Sequence, residues 1–196
     1  GWDKKSNFKN YDFLDGKKIY YSIDKKGYRS SRFKNKLNKI ISFGDSYTFC
    51  RQVEDDQTWQ VFLSKHLNNK VLNFGVGNYG VDQALLYYQR HDLPLSTEVV
   101  ILGFVPETIC RVQSYWKHYL EFGNIFAFKP RFTFENKKLI LHQNPIKNLS
   151  DYEEIEKIID TIKYTDGFYK NKFRKLQFRF PYLATFLLSF RRNITL

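Results

Sequence analysis

An α/β fold, a three-layer, doubly wound parallel sheet, is the architecture this sequence predicts, and three observations carry it. Short apolar runs at 39–43, 70–74 and 98–104 are continuous rather than alternating, as in strands covered on both faces. The first two runs each lead through a glycine-containing turn into apolar residues at helical spacing, the order expected of parallel crossover units. The first run ends in Gly44-Asp45-Ser46, which puts an acid and a hydroxyl where open α/β sheets bind their ligands, outside the carboxyl ends of the strands. A sheet that winds both ways sets its first strand in the middle, so the segment at 39–43 is expected between the other two.

Before the first strand, Tyr20-Tyr-Ser-Ile-Asp-Lys-Lys-Gly27 reads as an edge strand or hairpin arm that covers the sheet. Ile40, Ile41 and Phe43 form the strand, and Gly44 lets the backbone turn sharply. From Asp55 to Leu67, Trp59, Phe62, Leu63 and Leu67 recur at helical spacing behind acidic residues that suit an N-terminus, which predicts a helix packed on the sheet. His66 lies near its end and reads as structural or exposed. Val71-Leu-Asn-Phe74 is the second strand, and Gly75, Gly77 and Gly80 surround Asn78 in a loop that lets backbone approach a ligand closely. Val81, Leu85 and Tyr88 mark the next helix, and Glu98-Val-Val-Ile-Leu-Gly103 the third strand.

Beyond Val105 the pattern changes to an insertion and cover segment. Arg131 to His142 alternates about Asn136-Lys137, a β-hairpin signature. Ser150-Asp-Tyr-Glu153 has the spacing of a capping box before Ile155, Ile158, Ile159 and Ile162. Phe178 to Phe190, with Pro181 at a helix start, is too short to span a membrane and is expected to pack on the core.

A chain of 196 residues, 42% hydrophobic and 18% aromatic, holds enough apolar surface for one domain. Its net charge of +12 is scattered among Asn, Phe, Tyr and Ile instead of forming a stripe, which argues against a nucleic-acid partner. Cys50 and Cys110 make no motif and read as small buried apolar residues. No metal-ligand spacing and no cofactor fingerprint is present, so the expected cofactor is none. No apolar run reaches 18 residues, so no membrane span is expected in this chain. The chain begins Gly-Trp-Asp-Lys with no methionine, and an upstream piece is expected, through which the protein would be extracytoplasmic or membrane-associated.

Ile41-Ser-Phe-Gly-Asp-Ser-Tyr-Thr-Phe, Val71-Leu-Asn-Phe-Gly-Val-Gly-Asn-Tyr-Gly-Val-Asp-Gln and Val99-Val-Ile-Leu-Gly-Phe-Val-Pro-Glu-Thr resemble, in order and spacing, the first three sequence blocks of the SGNH (GDSL-type) hydrolases. The likeness covers residues 28–110 and continues more weakly through Lys129-Pro-Arg-Phe and Pro181-Tyr-Leu. It implies a flavodoxin-like SGNH hydrolase fold and a serine esterase or acyl-transfer chemistry through a Ser46 acyl-enzyme, on a small-molecule or carbohydrate ester such as an O-acylated sugar. By the same likeness the Ser46 N–H is one oxyanion donor, Asn78 stands in the place of the second-block glycine, and Thr108 in that of the third-block asparagine. Asp45 joins them as a candidate substrate-binding residue. Asn78 suits the left-handed region better than most residues, and Asn73 or Asn78 offers a substitute amide. Thr108, with a shorter side chain than asparagine, is the more serious departure.

A serine hydroxyl needs a base, and the family's is a histidine in an Asp-x-x-His motif. No such motif occurs here; His91, His118 and His142 fall in the second helix, the insertion and the hairpin. A fourth strand, a fifth and the Asp-x-x-His helix are therefore expected beyond Leu196. The alternative from a different class is a non-catalytic SGNH-fold binding protein that keeps the cleft without the chemistry.

Overall fold

A computed structural model describes residues 2–33, 39–93, 96–121 and 123–169, together with Leu183 and Leu187. The chain is mixed α/β, and it divides into two compact units, 1–112 and 113–196.

The first unit is built on three parallel strands. β3 (Ile40–Gly44) pairs with β4 (Val71–Asn73) on one side and with β5 (Val99–Gly103) on the other, so the first strand of the motif is central as expected. Ile40 stands opposite both Val71 and Val99, and Gly44 opposite Gly103. Every residue of β3 is buried, with Ile41 and Phe43 wholly so. Between the strands lie α1 (Ser46–Phe49), α2 (Trp59–Leu67) and α3 (Val81–Gln89), and α4 (Glu107–Arg111) follows β5. Successive side chains of a strand point to opposite faces. Ser42 hydrogen-bonds Gln60 of α2, while Phe43 meets the rings of Tyr87 and Tyr88 of α3, so the two helices cover opposite faces of β3.

The buried faces of those helices differ from the apolar periodicity. In α2 the buried residues are Gln60, Val61 and Ser64, and Phe62 and Leu67 face solvent. Gln60 Nε2 donates to Ser42 Oγ (3.1 Å) and to Thr48 O (2.7 Å), and Ser64 Oγ accepts from Val71 N (2.8 Å). These polar side chains close backbone and hydroxyl groups that the short strands leave open, and such a group left unsatisfied when buried costs about 1–3 kcal/mol. In α3, Leu85 and Tyr88 are each 37% exposed, and Asp82, Gln83, Ala84 and Tyr87 are buried instead.

The segment before the sheet is a full hairpin, β1 (Phe8–Leu14) with β2 (Lys17–Ile23), longer than the arm expected from Tyr20. Asp15 and Gly16 turn it with φ of 49° and 76°, the left-handed pair that a two-residue hairpin loop requires. Arg29 joins the hairpin to the sheet by bridging both Ile23 and Asn73.

β5 is an edge among the described residues, and Val99, Val100 and Leu102 on it are 41–47% exposed.

The second unit contains β6 (Arg131–Glu135) and β7 (Lys138–His142), paired antiparallel about Asn136 and Lys137 as the alternation predicts. Both turn residues have positive φ, 50° and 63°. A 3₁₀ turn at Leu149–Glu154 leads into α5 (Ile155–Ile162). Its cap is not the expected Ser150 and Glu153 but Asn148 and Asp151, whose Oδ2 accepts from Lys147 N and Asn148 N and so lies lower in pKa than a free aspartate. Tyr115, Trp116, Tyr119, Phe128, Ile146 and Ile162 form this unit's core, with Ile155, Ile158 and Ile159 packed against it. Asp166 is buried there and accepts from Ser114 Oγ and the Tyr115, Phe168 and Tyr169 amides. The stretch Phe178 to Phe190 lies outside the described residues except for Leu183 and Leu187, both exposed. Among the described residues no helix is long and apolar enough to cross a membrane.

Candidate functional site

Three parallel strands ending at one edge bring the residues that follow them to the same side of the sheet. Ser46 follows β3, Asn78 lies in the loop after β4, and Thr108 is in α4 after β5. Gly75 makes the approach close. A Cβ there would sit 2.6 Å from the Thr48 carbonyl carbon and against the Phe49 amide, so the loop after β4 runs directly over α1 only because that side chain is missing. Val76 N donates to Gly44 O (2.9 Å), tying the same loop to the end of β3.

Ser46 is the first residue of α1 and is half-buried. Asp45 caps that turn, its Oδ1 accepting from Tyr47 N (2.9 Å). Its Oδ2, fully buried, has no hydrogen-bond partner among the described residues, and Arg111 Nη1 of α4 stands 3.9 Å away. Arg111 also donates to Tyr79 O (2.9 Å). One guanidinium thus links the segments after β3, β4 and β5, a role the sequence pattern gave no reason to assign.

Ser46 and Asn78 line one cleft of about 560 Å³, with Phe13, Tyr47, Cys50 and Trp59 among its walls. Among the described residues no hydrogen bond holds the Ser46 hydroxyl. Asn78 has φ of 64°, the left-handed conformation anticipated for it. Thr108 is placed otherwise. It is 1% exposed, its hydroxyl donates to Val105 O (2.8 Å), and it does not line this cleft. Asn73 is also engaged, since its Oδ1 accepts from Gly75 N (3.0 Å) and its amide faces Phe49 O at 3.4 Å. Of the two asparagines, Asn78 is the one that lines the cleft, together with Gln52 and Gln57.

Among the described residues of the first unit no histidine lines the cleft. His66 is exposed at the end of α2. His91 packs against the Phe74 and Tyr87 rings at 4.8 and 4.4 Å with Nδ1 at 2.9 Å from Tyr87 O. His118 and His142 belong to the second unit. Among the described residues no group of His, Cys, Asp and Glu has the makings of a metal site.

Two basic residues that sequence reading passed over organise the walls. Arg29, 2% exposed, donates to Phe49 O and Cys50 O (both 2.7 Å), to Val53 O (2.5 Å) and to Asp55 Oδ1 (2.8 Å). It holds the 49–55 segment, which carries one wall of the cleft, as a charged and fully bonded buried group must. Lys4 Nζ is buried with no hydrogen-bond partner among the described residues and sits 5.7–5.8 Å from the Phe49, Phe74 and Tyr87 rings. Burial pushes its pKa down to about 7, the Asp3 carboxylate partly opposing and Arg29 adding to the fall. Trp2, next to it, donates from Nε1 to Gly77 O (3.0 Å) in the loop that carries Asn78.

Cys50 is half-buried in the cleft with φ of 59°, and burial raises its thiol pKa. Cys110 is exposed, contrary to the expectation of burial; the buried residue of α4 is Thr108.

Comparison with protein-family models gives no match for this chain, and comparison with curated proteins gives none either.

Proposed function

We propose that this chain is an SGNH-type serine hydrolase, with a flavodoxin-like, doubly wound sheet, acting on esters through a Ser46 acyl-enzyme. The observation that carries the reading is the Ser46 hydroxyl. Among the described residues it has no hydrogen-bond partner, and it stands at the first turn after the central strand, in a cleft it shares with an asparagine in left-handed geometry. The Ser46 Oγ attacks the ester carbonyl carbon, the alkoxide leaves with a proton, and water or a second alcohol then takes the acyl group. In this reading the Ser46 N–H, at the start of α1, and an amide of Asn78 serve as donors to the developing oxyanion. The substrate class in this reading is an O-acyl ester of a carbohydrate or another small molecule.

The base is not among the residues that line the cleft, so turnover by these 196 residues should be slow. The test is stoichiometric acylation, which does not need turnover. Incubation with p-nitrophenyl acetate followed by peptide mass spectrometry should place an acetyl group on Ser46, absent in Ser46→Ala. Acetyl groups found only on lysines or at the amino terminus would reject the nucleophile assignment.

A second reading is favoured by the buried, internally bonded Thr108 and the lack of a histidine in the cleft: a non-catalytic binding protein on the same fold. It predicts ester ligands that bind in the cleft and never acylate Ser46.

A further inference from the structure

The hairpin that precedes the sheet has one face turned to the core and one to solvent, and the solvent face is built of rings. Cross-strand partners share a face, so Tyr11 with Tyr20 and Phe13 with Lys18 point the same way. Tyr11, Phe13 and Tyr20 are 41%, 65% and 56% exposed, and their rings touch, Tyr11 to Phe13 at 5.4 Å and Tyr11 to Tyr20 at 5.8 Å. Lys18 Nζ stands 4.6 Å from the Tyr11 ring, and Lys9 and Ser22 complete the face. Not one aliphatic side chain belongs to it. A surface meant for another protein's core or for acyl chains would carry Leu, Ile or Val; rings set between amine and hydroxyl groups match a ligand that is itself apolar on its faces and polar at its edges.

Where the row of rings leads narrows the ligand further. At one end Phe13 is a wall of the cleft that holds Ser46. At the other, Tyr11 and Tyr20 border a second cleft of about 610 Å³ whose opposite wall carries Ser30, Ser31, Glu54 and Asp56. Arg32 lines the same cleft and pairs with Asp56 at 3.2 Å, so this side offers hydroxyl, carboxylate and guanidinium groups, the donors and acceptors that pair with the hydroxyls of a polyol.

We propose that the outer face of the β1–β2 hairpin is a saccharide-binding platform. A chain of neutral sugar rings stacks its C–H faces on Tyr20, Tyr11 and Phe13, pairs hydroxyls with the Ser30, Ser31 and Asp56 wall, and delivers an O-acyl group to the Ser46 cleft. The delivery step rests on the esterase reading; the binding of the sugar chain does not.

The experiment uses the full chain and two neutral probes, partially O-acetylated xylohexaose and the same oligosaccharide deacetylated, followed by NMR shift mapping and calorimetry at millimolar sugar. Both probes should bind, moving the Tyr11, Phe13 and Tyr20 ring signals. Tyr11→Ala with Tyr20→Ala should weaken binding about 10-fold or more, as removal of a contact ring does in a binding hot spot. Tyr11→Phe, which keeps the ring and the hairpin, should bind like the parent and so separates stacking from folding. If Ser46 fails to acylate yet ring-dependent sugar binding persists, the esterase reading falls and the platform stands. Absence of binding by either probe, binding that moves no ring signal, or rings that dock instead on phosphatidylglycerol vesicles would overturn the platform.

Discussion

Lys4 offers the sharpest test of how the site is held, because its ammonium is buried among three rings and among the described residues nothing accepts its hydrogens. An ammonium in that setting is stabilised only by the ring faces and by Asp3, and its pKa falls from 10.5 to about 7. The sign follows from the two states. Above about pH 10.5 the amine is neutral folded and unfolded and has no effect; between 10.5 and about 7 the unfolded chain holds a proton that the folded chain resists, so stability declines as pH falls. Below about 7 both states are protonated and the loss levels off. A fall of about 3.5 logarithmic steps at about 1.4 kcal/mol each gives about 5 kcal/mol, and contact with aromatic faces returns up to about 2. Lys4→Met, which keeps the stem and drops the charge, should therefore stabilise the protein at neutral pH by about 3 kcal/mol. Urea unfolding of both proteins across about pH 7 to 10 checks it, since other groups titrating in that window cancel in the difference. The gain should shrink to less than about 1 kcal/mol at the alkaline end. A variant less stable than the parent, or a gain independent of pH, would show that Lys4 keeps its proton in the cage and would refute the reasoning.

The other perturbations act on the frame of the cleft. Arg29→Met should destabilise by about 3 kcal/mol in denaturant unfolding, because it takes the cation from beside Asp55 and leaves three carbonyls without the guanidinium that now satisfies them. Gly75→Ala should cost about 1–3 kcal/mol and abolish acylation of Ser46, since the new methyl pushes the loop off α1; unchanged acylation would mean that the contact does not position the site. Leu102→Lys, at a half-exposed place on the β5 edge, should leave stability within about 0.5 kcal/mol while lowering self-association seen by sedimentation, as a charge on an open edge does.

What could be read in the sequence was whatever the chain writes locally. A continuous apolar run, a glycine and a serine in succession describe β3 and its turn without reference to any other residue, and strand order follows from the direction of winding. The β6–β7 hairpin was equally legible, because Asn136 and Lys137 interrupt a strict alternation. By the same rule Asp15-Gly16 announces the first hairpin, and it was missed because β1 shows an aromatic and lysine-rich outer face that does not look half-buried.

Residues whose role lies in distant partners left no such trace. Gln60 and Ser64 look like the polar side of α2, yet they are its buried side, because Ser42, Thr48 O and Val71 N need partners more than Phe62 needs burial. Arg29 and Arg111 look like two of many basic residues, and only the fold shows that one binds the 49–55 wall and the other joins the segments after all three strands. The candidate site divides along the same line. Ser46 and Asn78 are legible because backbone geometry places them, one by a turn and one by a left-handed φ. Thr108 shares their sheet edge, but its hydroxyl lies 2.8 Å from Val105 O within its own turn, and a bond so local outcompetes a ligand across a cleft. Alignment by position locates a residue along the chain; where its side chain points is decided by the nearest unsatisfied backbone group.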